Sequence, residues 1–418
     1  MEKRKLIEMG TLSRGRSQHR PRNDSKLYGG KYPFIQTGDV KNSNLYIEKY
    51  SQTYNDFGLN QSKLWPENTL CITIAANIAD TGILSFPACF PDSIIGFTAT
   101  KGKTDVRYVK YCFDLLQKSI QNMSKGSTQD NLSMEKLEQL EFNCPSFESQ
   151  QKIAAVLSSL DDKIALNNRI NTKLEQMAKR LYDYWFVQFD FPNVDGKPYK
   201  STGGKMVWNE ELKREIPEGW EVTPLKECIN HINTGLNPRD NFVLGNGNIK
   251  YITVKNLTES GMIDFSNCDL IDEEARSMVH NRSDIKIGDI LFASICPLGR
   301  CYLINEEPKD WDINESVFTI RSNYKNMSSQ FLYNILLDEY YVRKMTQKAT
   351  GSIFKGIRVD DLGKMEIVLP SKEIIDSFTA KITPLLNQQA KLQQESMKLS
   401  EMRDKLLPLL MNGQVEVK

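Results

Sequence analysis

Between residues 153 and 185 apolar side chains recur at alternating steps of four and three. With Ile153 as position a of a heptad, the a series is Ile153, Leu160, Asn167, Leu174 and Leu181, and the d series is Leu157, Ile164, Asn171, Ala178 and Trp185. That spacing predicts a long helix with a coiled-coil seam. A second seam runs through Phe378, Leu385, Leu392, Leu399 and Leu406 at a, with Ile382, Gln389, Ser396, Arg403 and Leu410 at d. Asn167 and Asn171 read either as buried polar residues that fix register or as positions on a solvated edge. Neither helix has a helical neighbour in sequence, so the simplest partner for each is the other, packed antiparallel. At ~1.5 Å per residue, about forty residues make a rod of roughly 60 Å, long enough to act as a spacer.

The segments ahead of the two helices have a different pattern. Residues 67–74 and 288–295 are β-rich runs entered through turn residues, each followed by a turn holding a glycine, Gly82 or Gly299, and then by a second apolar run. Helices are predicted over 106–122 and 329–347. The resulting expectation is a mixed α/β chain organised as an internal repeat. From Gly126 and Gly351 onward the two halves align without a gap at an offset of 225 residues: Leu132/Ile357, Leu137/Leu362, Pro145/Pro370, Leu160/Leu385, Leu174/Leu399, Met177/Met402 and Leu181/Leu406. Upstream the match needs small insertions, with Leu6 opposite Leu225 and Gly15 opposite Gly235. Repeats of this kind are supersecondary units used twice. The boundaries read as a first globular domain over 1–145, a long helix over 146–190, a Gly/Pro/Ser-rich linker over 191–215, a second globular domain over 216–370 and a second long helix over 371–412. The aromatic run Tyr182, Tyr184, Trp185, Phe186, Phe189, Phe191 either seats a helix end on its own domain or forms a docking surface.

Composition narrows the function classes. The chain has 418 residues, is 40% hydrophobic and 26% charged, and carries a net charge of +1. No apolar run approaches the ~20 residues of a spanning helix, and the N-terminus lacks the apolar stretch of a signal peptide, so a cytoplasmic location away from membranes is expected. The eight cysteines form no C-x-x-C pair and three histidines stand far apart, which argues against a metal site or a histidine-based triad. There is no phosphate-binding P-loop, no helix-opening G-x-G-x-x-G and no amino-methyltransferase motif, so no catalytic residue is assigned. With so small a net charge, any nucleic-acid surface must be local. Residues 1–31 supply one, with nine Lys/Arg against three acids; a merely solvated basic arm is the alternative.

Several ordered strings carry a family resemblance. They are Gly126-Ser127-Thr128-Gln129-Asp130-Asn131-Leu132, Pro145 through Leu157, Leu160-Asp161-Asp162-Lys163-Ile164, Trp185 through Pro192, Gly203-Gly204-Lys205-Met206 and Ile216-Pro217-Glu218-Gly219-Trp220. In this order, and with the repeat, they resemble the specificity subunits of Type I restriction-modification systems. The second tail departs from the pattern, because Lys372 through Ser377 replaces the glutamine-containing stretch of the first. The resemblance implies two target recognition domains joined by two long antiparallel helices with a pseudo-two-fold relation, each domain reading one half of a split, asymmetric site on double-stranded DNA. It also implies two methyltransferase subunits and nuclease/translocase subunits as partners in phage defence. This chain would bind no cofactor, with S-adenosylmethionine, ATP and Mg held by those partners.

Sequence readout needs base-edge donors and acceptors, while Lys and Arg on phosphates supply affinity and register. On charge and position the DNA-contact candidates are Arg14, Arg16, Arg20, Arg22 and Lys41, with Lys125, Thr128 and Gln129 near the end of the first domain. In the second they are Arg239, Lys255, Arg300, Lys348, Ser352 and Lys355. The rival reading is a coiled-coil scaffold that binds proteins and ignores DNA.

Overall fold

A computed structural model describes residues 2–75, 79–125, 132–323, 325–349 and 356–417. The chain divides into two compact units, 1–166 with 395–418, and 167–394. Two long helices, Phe147–Tyr182 and Lys372–Met411, each contribute to both units.

In the first unit the main sheet runs in the order Gly10–Arg14, Ile94–Ala99, Leu70–Thr73, Thr81–Leu84, Tyr46–Ile47. The first four strands pair antiparallel, and Tyr46–Ile47 lies parallel to Thr81–Leu84. In the second unit the order is Ile229–Thr234, Val317–Ser322, Ile290–Ala293, Cys301–Leu303, again antiparallel. These four strands match the first four of the first unit one for one. The central strands Leu70–Thr73 and Ile290–Ala293 are buried at every position. Such strands read in sequence as continuous apolar runs and show no alternation.

A two-stranded ribbon repeats as well. Glu2–Lys5 pairs with Glu141–Cys144 in the first unit, and Glu221–Pro224 with Glu366–Leu369 in the second, in equivalent antiparallel register. The next backbone bond recurs too: Leu6 N–H donates to Leu140 O at 3.0 Å and Leu225 N–H to Met365 O at 2.8 Å. Gly15 and Gly235, paired in the sequence alignment, hold one role. Each donates its N–H at the start of the neighbouring strand, to Ile94 O at 2.9 Å and to Asn314 O, just ahead of Val317–Ser322, at 3.2 Å, where an added methyl would overlap a backbone oxygen, of Pro91 or Ile313. Gly235→Ala is therefore expected to cost about 2–3 kcal/mol of stability, read as a lower thermal midpoint.

Two local expectations change. Gly82 sits inside the strand Thr81–Leu84, whereas Gly299 occupies a turn with φ +88°. The helix expected over 329–347 is two helices, Ser329–Leu337 and Glu339–Lys348. Asp338 separates them by capping the second, accepting from Tyr340 N at 2.8 Å and Tyr341 N at 3.3 Å.

The long helices run antiparallel in each unit. In the first, Arg403 meets Asp161 at 2.8 Å and Lys163 meets Glu395 at 3.5 Å; in the second, Gln389 Nε2 donates to Asn171 O at 3.4 Å. Every a and d position of the first seam is buried or half-buried, Asn167 and Asn171 included, so the solvated-edge reading of the two asparagines falls away. The aromatic run seats the helix end. Tyr182, Trp185, Phe186, Phe189 and Phe191 join the second unit's core, where Phe186 packs edge-on against Phe378 at 4.9 Å, and of the run only Tyr184 is exposed.

Candidate nucleic-acid interface

In the first unit the basic segment leaves the sheet at Arg14, the end of the strand Gly10–Arg14, and is held by its backbone. Arg16 N donates to Phe90 O at 3.1 Å, and Ser62 Oγ donates to Arg16 O at 2.7 Å. Gln61 Oε1 accepts from the backbone of Gln18 at 2.7 Å and of His19 at 2.9 Å. Asp24 caps the turn Ser25–Leu27 and pairs with His19 Nε2 at 2.9 Å. The Lys26 N–H, and then the His19 hydrogen bond, hold the Asp24 carboxyl below the usual carboxylate range. A loop tied down this way presents its arginines at defined places.

The arginines differ in their commitments. Arg14, Arg16 and Arg20 are exposed; Arg16 Nη2 donates to Gln18 Oε1 at 2.8 Å, and Arg20 Nη1 donates to the carbonyls of Ser17 and His19, each at 2.8 Å. Arg22 is also exposed but ion-paired with Asp92 at 2.7 Å. Lys41, in the last turn of the helix Thr37–Lys41, belongs to another neighbourhood, where its charge acts on Asp80. Burial pushes the Asp80 carboxyl up, and Lys41 and Lys110 oppose that. Lys125 closes the helix Val106–Lys125, while Thr128 and Gln129 lie outside the described residues.

Several groups near the arginines went unread in the sequence. Gln18 and Gln61 sit inside the loop network; Gln61 is fully engaged, its Nε2 donating to Gly58 O at 3.0 Å, whereas Gln18 is exposed and glutamine can bond a base edge through its amide. Lys63 Nζ lies 3.7 Å from the centroid of Trp65, whose ring stacks on Phe90 at 4.8 Å. Phe57 is exposed and meets His19 edge-on at 5.6 Å. No periodicity announces such residues, because the fold collects them from separate loops.

In the second unit Arg239 is exposed in a turn closed by bonds from Asn241 N and Phe242 N to Pro238 O, at 2.7 and 3.1 Å. Lys255 is exposed on the single turn Val254–Asn256, and Lys348 ends the helix Glu339–Lys348. Arg300 is largely committed, donating to Leu257 O at 3.2 Å and pairing with Glu259 at 3.2 Å. Ser352 and Lys355 lie outside the described residues. Arg282, which sequence reasoning passed over, is exposed and donates to Thr234 Oγ1 at 3.1 Å, directly before Gly235. It thus stands where the first unit has Arg14 and Gly15. Nearby, the buried Asp312 accepts from Ser283 Oγ at 2.6 Å and its own neighbour Ile313 N at 2.8 Å, and pairs with His280 Nδ1 at 2.9 Å. Burial nonetheless raises its carboxyl above the usual range. The cluster is a brace between the helix Glu273–Ser283 and the strand Trp311–Ile313.

Among the described residues no group of three or more His, Cys, Asp or Glu is arranged to hold a metal ion, and no helix is long and apolar enough to cross a membrane. The arrangement that remains is a pair of similar units, each with exposed cations at the end of its sheet.

Comparison with known proteins agrees with that duplication. The family model described as Type I restriction modification DNA specificity domain matches residues 1–176 and again 217–396. The Type I restriction enzyme MjaIX specificity subunit of Methanocaldococcus jannaschii is 27% identical over 428 residues, covering 99% of this chain and 93% of that one. The HindI specificity subunit of Haemophilus influenzae is 25% identical over 342 residues, covering 70% and 72%. Among solved structures, the S subunit of the Type I restriction-modification system of M. genitalium superposes with a TM-score of 0.59 at 16% identity, covering 98% and 96% of the two chains, a likeness of fold.

Proposed function

The chain belongs to the Type I restriction modification DNA specificity family, and from that premise we propose that it reads a two-part, asymmetric site on double-stranded DNA, one part with each unit. The observation that carries this reading is the duplicated architecture: one strand order and one ribbon register, built twice from different loop sequences. A shared scaffold with divergent loops suits two readers of unlike half-sites. In the first unit Arg14, Arg16 and Arg20 contact phosphates, with the exposed Gln18 placed to approach base edges. Arg239, Lys255, Lys348 and Arg282 serve the second unit. Arg22, Lys41, Arg300, Lys125, Thr128, Gln129, Ser352 and Lys355 remain proposed contacts on charge and sequence position alone.

The reading includes a division of labour. This chain recognises, and its methyltransferase and nuclease/translocase partners catalyse, holding S-adenosylmethionine, ATP and Mg in the cytoplasm. Support for two methyltransferase copies comes from a repeated apolar surface. Met177 and Tyr184 are exposed near the end of the first long helix, and Met402 and Leu409, each 225 residues further on, are exposed near the end of the second. A surface that occurs twice at equivalent positions suits one partner taken up twice.

The test is modified-base sequencing of genomes from cells with this chain and its methyltransferase, and from cells lacking only this chain. The expected result is loss of one methylated motif with two defined halves around a fixed gap. An unchanged pattern, with the methyltransferase expressed and active, would overturn the reading in favour of the scaffold.

A further inference from the structure

The second unit carries a cleft of about 780 Å³ between the two long helices, the loop Glu259–Met262 and the junction of the helices Ser329–Leu337 and Glu339–Lys348. That size falls in the range of small-molecule sites, ~300–1,000 Å³. Its wall is rich in hydrogen-bond acceptors and carries more acids than cations. Asn305, Asn334, Gln389 and Gln393 each place one amide N–H on a carbonyl, of Leu303, Gln330, Asn171 and Ile263, and the Thr172 hydroxyl donates to Asn168 O. Each side-chain oxygen is left able to accept.

Two groups on one helix face sharpen the pattern. Asn171 is 6% exposed, lines the cleft, and neither its Oδ1 nor its Nδ2 has a hydrogen-bond partner. Glu175, one turn further on and on the same face, also lines the cleft and makes no ion pair or hydrogen bond among the described residues. Burial raises its carboxyl above the usual range. The other wall carboxylates are engaged: Asp183 and Glu339 share Lys179 at 3.1 and 3.4 Å, Glu259 holds Arg300, and Asp338 caps a helix. Arg343 is the other cation on the wall, against five acids in all. Leu298, Met262, Val342 and Leu386 add apolar surface between the polar groups.

We propose that this cleft binds a linear polyamine, with an ammonium group seated between Glu175 and the Asn171 carbonyl and the methylene chain against the apolar wall. Acceptors and an uncommitted carboxylate suit a ligand that brings several N–H donors and positive charge, and apolar patches between them suit its alkyl spacers. The excess of acids on the same wall disfavours anions and nucleic acid.

The test is calorimetric titration of spermidine into the full chain, purified with its partner subunits and free of DNA, at near-physiological salt. One saturable site per chain is expected. Glu175→Gln should weaken it about tenfold or more, as loss of one charge-assisted contact does. Asn171→Leu should abolish it while raising the thermal midpoint of the ligand-free protein, since leucine at this seam position replaces an unpaired buried amide with a hydrocarbon of similar size. The higher midpoint shows that the variant is folded. Absence of a saturable site, equal binding by all three proteins, or equally tight competition by Mg²⁺ would each overturn the proposal. The methylated DNA motif is read separately and is expected to be unchanged in both variants.

Discussion

Arg403→Ala is expected to destabilise the first unit by about 3 kcal/mol, the low end of the cost of stranding a buried charge. Asp161 has only 7% of its side chain exposed, and Arg403, 30% exposed, meets it at 2.8 Å across the two long helices. Tyr111 donates its hydroxyl to the other Asp161 oxygen at 2.6 Å, tying the helix Val106–Lys125 to the same carboxylate. Removing Arg403 leaves that carboxylate with one neutral donor in a low-dielectric setting. The repeat supplies the matching rescue. At a separation of 225 residues Leu386 is the counterpart of Asp161, and Ala178 the counterpart of Arg403; both are buried in the second unit's apolar core. The triple variant Tyr111→Phe, Asp161→Leu, Arg403→Ala should therefore return to within about 1 kcal/mol of the parent, because it leaves neither a desolvated charge nor the buried Tyr111 hydroxyl without its acceptor. Chemical denaturation of the three proteins checks this. Equal loss in the single and triple variants would show that the ion pair is not what the site depends on.

Neutralising Arg14, Arg16 and Arg20 together as glutamines is expected to weaken DNA binding on the order of 100-fold at ~0.1 M salt, taking about 1 kcal/mol for each contact. The slope of log K against log salt should become shallower by about 2–3, since each lost phosphate contact removes ~0.9. Fluorescence anisotropy on a duplex carrying the methylated motif measures both quantities. Arg22 is left out because Asp92 already neutralises it. Stability should change little, as these guanidinium groups are exposed and the loop is held by backbone bonds and by Gln61. An unchanged salt slope in a folded protein would remove this loop from the DNA interface.

The two seams, the ungapped register of the two tails and the choice of mixed α/β units were all legible in the chain, because each is written in apolar spacing that a single sequence displays. The family strings and the basic start of the chain likewise point to a DNA reader. Local backbone events were less legible. Asp338 broke a predicted helix in two because its side chain caps the second half, a choice between continuing and capping that apolar spacing does not encode.

Pairings between distant residues needed the tertiary structure. Arg403 takes a d position of the second seam, where a charge has no apolar partner, and its meeting with Asp161 at 2.8 Å explains it. The same holds for the arginines: Arg16 and Arg22 look alike along the chain, while the fold pairs Arg22 with Asp92 and leaves Arg16 with only the neutral Gln18. Arg282 came to the counterpart of Arg14 through a helix with no match in the repeat alignment. Hydrophobic periodicity is a property of neighbours along the chain, so the sequence by itself determined the elements and their duplication. Which charges are paired, and which amides are left facing a cleft, depends on residues brought together from far apart, and that only the packing decided.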